Sequence, residues 1–90
     1  MCTWVTIFTE VEGCGKGPEG RWMDLTDAVV YFDHPQHSTE THALLIDLLD
    51  KSAGPSGRVA IELNVESARR LVNAIEQAMA AVDPAVLANS

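Results

Sequence analysis

The chain has 90 residues, 47% of them hydrophobic and only 21% charged, with a formal net charge of -7. A folded monomer of this size buries roughly 64% of its unfolded surface, enough for one small core and no second domain. The acidic balance and six scattered basic residues exclude phosphate backbones and anionic membrane surfaces as partners, so no nucleic acid and no membrane is expected.

No basic segment leads into an apolar run at the start, and no stretch approaches the ~20 apolar residues that span a bilayer. The expected compartment is therefore cytoplasmic. So apolar a composition in so small a body favours self-association.

The segment 3–12 is rich in β-branched and aromatic residues and predicts a first strand, with Val5, Ile7 and Val11 on one face and Trp4, Thr6, Phe8 and Glu10 on the other. Four glycines and a proline then fall within residues 13–20, which predicts a hairpin loop. Gly13-Cys14-Gly15-Lys16-Gly17 is not a phosphate-binding loop: Ser or Thr is missing after the lysine, and no helix opens there.

A second strand is expected over 21–33. Its end is apolar on both faces, with Val29 and Tyr31 on one and Ala28, Val30 and Phe32 on the other. The polar segment 33–42 carries all three histidines, His34, His37 and His42, and predicts a loop. The apolar run 43–50 suits a third strand better than a helix, because eight residues between turn signals are too few for an average helix of ~11. Leu44, Ile46 and Leu48 would face one way, and Leu45, Asp47 and Leu49 the other.

Residues 58–64 alternate cleanly, with Val59, Ile61 and Leu63 inward, as a half-buried fourth strand does. Asn64 suits a helix N-cap, and Glu66 complements the positive end of the helix dipole. Ala68, Leu71, Val72, Ile75, Ala78, Met79 and Val82 follow at helical spacing on one side, and Asp83-Pro84 stops the helix. Residues 85–90 read as a tail beyond a single domain over 1–84.

Four strands joined by hairpin-length loops and closed by one helix define an α+β fold, a four-stranded antiparallel meander (ββββα) with the helix across one face. Trp4, Phe8, Leu45 and Leu49 would then form an apolar patch on the other face, and such a patch predicts a homodimer packed through it.

The meander also brings residue 2, Asp33, the histidines and the helix N-terminus to one rim and sends Cys14 to the other. At ~3.3 Å per strand residue, Cys2 and Cys14 lie some 35–40 Å apart, which disfavours an intrachain disulfide.

Thiolate and imidazole are the usual ligands of zinc, copper and nickel, so Cys2, His34, His37 and His42 form a candidate metal set. Asp33 would serve as a ligand or as the acceptor that orients a histidine. The pattern is not that of zinc proteases, since His34-Pro35-Gln36-His37 lacks the glutamate and the helix. Two other readings stand beside it. One is a metal-free thiol enzyme with Cys2 as nucleophile, His34 or His42 as base and Asp33 orienting that base. The other is a module with no site that associates with itself.

The opening Met1-Cys2-Thr3, the run Tyr31-Phe32-Asp33-His34-Pro35 followed by His37 and His42, and Val59-Ala60-Ile61-Glu62-Leu63 together resemble a family of short bacterial proteins of unknown function. The resemblance covers most of the chain. It implies no activity, only that the cysteine and the histidine loop recur together.

Overall fold

A computed structural model describes residues 4–90, the side chains of residues 18 and 55 excepted. Alternating β-branched and apolar residues build four strands, β1 (Val5–Lys16), β2 (Trp22–Asp33), β3 (Ala43–Leu49) and β4 (Arg58–Leu63), followed by helix α1 (Val65–Ala80) and the short α2 (Pro84–Ala88). The sheet order is β1-β2-β3-β4 with every neighbouring pair antiparallel, so the α+β meander expected from the sequence is the observed fold.

The loop expected over residues 13–20 is shorter than the glycine content implied, because β1 runs on to Lys16. A bulge between Glu10 and Gly13 absorbs a register shift, after which Gly13 pairs with Leu25 and Gly15 with Met23. Gly15 makes room for a large neighbour: a Cβ there would come within 3.1 Å of the Leu25 side chain. The true turn is 17–21, closed by the Gly17 N–H donating to the Arg21 carbonyl at 2.8 Å. Gly20 takes the left-handed conformation there, with φ 71°.

Register assigns each face. On the helix side, Val5-Phe32-Leu44-Leu63, Ile7-Val30-Ile46-Ile61 and Thr9-Ala28-Leu48-Val59 form three rows across the four strands. Eleven of these twelve residues are apolar. On the far side the rows are Thr6-Tyr31-Leu45-Glu62, Phe8-Val29-Asp47-Ala60 and Glu10-Asp27-Leu49-Arg58, and half of the residues are polar.

Asp47 is central to that far side. It accepts from the Tyr31 hydroxyl at 3.3 Å and pairs with Arg58 at 3.3 Å. Burial, and after it the Asp47 carboxylate, push the Tyr31 phenol above its ordinary value. Leu45, 5% exposed, is the largest buried side chain on that side. The far face is therefore not the continuous apolar patch that Trp4, Phe8, Leu45 and Leu49 suggested.

Helix α1 starts as expected. The Asn64 side chain accepts from the Ser67 N–H at 2.7 Å, satisfying one of the free donors of the first turn. The helix packs on β3 and β4 through its first turns, where Ala68 is buried. Beyond Ala68 it parts from the sheet. Leu71, Val72, Ile75 and Met79 are all exposed, Ile75 by 53%, so most of the apolar stripe predicted to cover the sheet is left open to solvent among the described residues. Asp83 caps α2 by accepting from the Ala85 N–H at 2.8 Å, which gives residues 84–88 a defined turn where a tail was expected.

The core is correspondingly thin. Among the described residues only Ala28, Ala43, Leu45 and Ala68 are buried and apolar. The radius of gyration is 14.8 Å, whereas a compact domain of 90 residues has about 12 Å.

Candidate functional site

The rim formed by the end of β2, the start of β3 and residue 4 gathers part of the predicted set. The Trp4 N–H donates to the Phe32 carbonyl at 3.1 Å, which continues the β1–β2 ladder past its last paired residue. Four rings meet there. Trp4 stands edge-on to His42 at 4.7 Å, to Phe32 at 5.7 Å and to His34 at 5.8 Å, and the His34 and His42 ring centres are 5.0 Å apart. Trp4 thus belongs to this cluster, an arrangement the strand pattern alone did not indicate.

His34 is held in a defined orientation. Its Nδ1 lies 2.9 Å from the Thr41 carbonyl oxygen. A carbonyl only accepts, so Nδ1 carries the proton, and in the neutral ring Nε2 keeps its lone pair. Asp33 is buried, and its Oδ1 accepts from the His34 main-chain N–H at 2.6 Å. The acceptor that fixes the His34 ring through Nδ1 is therefore the Thr41 carbonyl, and the Asp33 contact fixes the backbone that carries the ring.

The His37 main chain is held by a residue outside the histidine loop, to which no site role was expected. Glu62, on β4, reaches across and accepts from three consecutive main-chain N–H groups: Gln36 at 2.7 Å, His37 at 3.1 Å and Ser38 at 2.8 Å. The loop is so pinned to the far face of the sheet, beside the row that contains Leu45. The Ser38 N–H foremost, and then those of Gln36 and His37, favour the ionised carboxylate more than its partial desolvation opposes it, holding Glu62 below the usual carboxylate range. A signal in the sequence is the isolation of Glu62 as the sole acidic residue of β4, facing away from the helix.

Depression of the Glu62 pKa sets the sign of a pH effect. The anchor contributes fully above the ordinary carboxylate range, weakens as the pH drops below that range, and is lost as the pH falls through the lowered folded-state value. Glu62→Gln should speed hydrogen exchange at residues 36–38 at neutral pH several-fold while the amides of β3 keep their protection. After correction for intrinsic exchange, the wild-type loop should lose protection on acidification and the variant should not. Equal acid sensitivity in both would contradict the anchor.

The four-ligand set is thus divided. His34 and His42 come together, His37 is held apart by Glu62, and Cys2 lies outside the described residues. Among the described residues no three His, Cys, Asp or Glu side chains converge as a metal centre would require. Cys14 is exposed at the opposite end, its Sγ 3.9 Å from Asp24, as the meander predicted.

The fold and rim define a small α+β protein with a four-stranded meander, two capped helices and a histidine-bearing loop clamped from β4. A family model matches residues 1–88, and the chain belongs to DUF6295, a family of unknown function. No curated protein and no solved structure matches it. No helix among the described residues is long and apolar enough to cross a membrane.

Proposed function

We propose that this chain is a self-associating module whose working form is a homodimer. An excess of exposed surface carries the reading. A compact folded monomer of 9.7 kDa exposes about 5,100 Å², and this chain exposes 6829 Å². The surplus, about 1,700 Å² per chain, would amount to roughly 3,400 Å² over two copies, within the range of obligate homodimers.

Sedimentation equilibrium should return about twice the 9.7 kDa chain mass at micromolar concentration. A monomer mass there removes the reading.

A second reading is favoured by the orientation of His34. Metal-binding imidazoles characteristically donate their other nitrogen to a carbonyl, which fixes the tautomer and frees Nε2, as Thr41 does here. His34 and His42, with the thiolate of Cys2 two residues before Trp4 in the sequence, would supply three ligands for zinc, copper or nickel, leaving a fourth position open. Equilibrium dialysis of untagged protein against Zn²⁺ should give stoichiometric binding that is lost in His34→Ala, His42→Ala and Cys2→Ser and kept in His37→Ala. Weak binding indifferent to all four substitutions contradicts a site at this rim.

A further inference from the structure

We infer that the two copies exchange helices: α1 of each chain lies across the helix-side sheet face of the other. This rests on the self-association reading and adds the surface through which it happens. Among the described residues two apolar surfaces of one chain are exposed at once. The helix stripe Leu71, Val72, Ile75 and Met79 is exposed, and the helix-side rows of the sheet contain one polar residue in twelve. Val5 and Ile7, in those rows, are exposed by 50% and 57%.

Where the helix diverges from its own sheet it leaves an open cleft of about 470 Å³, lined by Val5, Phe32 and Leu44 from the strands and by Val65, Ala68 and Val72 from the helix. The only charged lining group is Arg69. Such a cleft suits an apolar helix ridge. The stripe from Leu71 to Met79 is about 12 Å long at 1.5 Å per residue, and four strands at about 4.8 Å spacing are about 14 Å across. One helix arm therefore matches one sheet.

A two-fold axis satisfies both surfaces in both chains simultaneously, because the contact of helix on sheet is repeated in the reverse sense. The alternatives fit less well. The far face carries Asp47, Glu62, Asp27 and Arg58 in its rows, and apposing two copies there would bring like charges together. The β1 edge is blunted by the bulge between Glu10 and Gly13, a feature that discourages edge pairing.

The test is a mixed dimer of ¹³C-labelled and unlabelled full-length chains, read by isotope-filtered NOEs between copies. Expected are contacts between methyl groups of Leu71, Val72 and Ile75 in one copy and those of Val30, Ile46 and Ile61 in the other. Ile75→Glu should weaken dimerisation roughly a hundredfold or more, as loss of a central apolar anchor does. Phe8→Glu, on the far face, should leave the dimer mass unchanged.

If the wild-type chain is a dimer whose inter-copy NOEs run between far-face residues, and Phe8→Glu dissociates it, helix exchange is wrong and self-association stands. A wild-type monomer overturns both. Should Ile75→Glu fail to fold, the NOEs decide alone, since they need no variant.

Discussion

A chain ending at Arg70 should show no cooperative unfolding transition. In the single chain every residue from 71 to 90 is exposed. Were one chain the complete folded unit, removing them would sacrifice little burial and leave stability nearly unchanged. In the homodimer account the same residues carry the arm that covers the partner's sheet.

Full burial of a Leu, Val, Ile or Met side chain contributes about 1.5–3 kcal/mol. Four such residues on α1, counted in each copy, rival the whole stability of about 5–13 kcal/mol expected for a chain of this length. The truncated protein should therefore collapse without a sharp transition in urea, monitored by far-ultraviolet circular dichroism and tryptophan fluorescence. A sigmoidal transition at the full-length midpoint would show that the arm contributes nothing to the fold.

Much of the sheet was legible because alternation is a local signal. The facing of Val59, Ile61 and Leu63 on β4, and of Leu44, Ile46 and Leu48 on β3, follows from residue parity alone and agrees with the observed register. The Asn64 cap was equally plain, since a residue able to accept from the first turn stood immediately before the periodic run. Composition misled at residues 13–16, where glycines that normally break a strand instead sit opposite Leu25 and Met23 and let it continue.

Relations between elements were less accessible. Periodicity identified the apolar side of α1 but not how much of it the sheet would cover, because that depends on the direction in which the helix leaves Asn64. The supposed far-face patch failed for a related reason. Parity puts Asp47 on the same side as Leu45 and Leu49, but only the register across strands shows that Asp47 shares a row with Phe8, Glu62 one with Leu45, and Arg58 one with Leu49.

At the rim, connectivity was sufficient to bring residue 4 beside His34 and His42. It was not sufficient for His37. Three main-chain N–H groups captured by Glu62 decide where that part of the loop goes, and main-chain donors leave no mark in a pattern of residue types.

The second large effect is the concentration dependence of unfolding, which addresses directly whether one chain is a complete folding unit. If native dimer converts to two unfolded chains, each tenfold rise in protein concentration stabilises the dimer by about 1.4 kcal/mol. With a urea slope of about 1–3 kcal/mol/M for a small protein, the midpoint should climb by roughly half a molar or more per decade. Urea titrations of the full chain between about 1 and 100 µM should show that steady climb, and a midpoint unchanged over the range would contradict a core completed by a second copy.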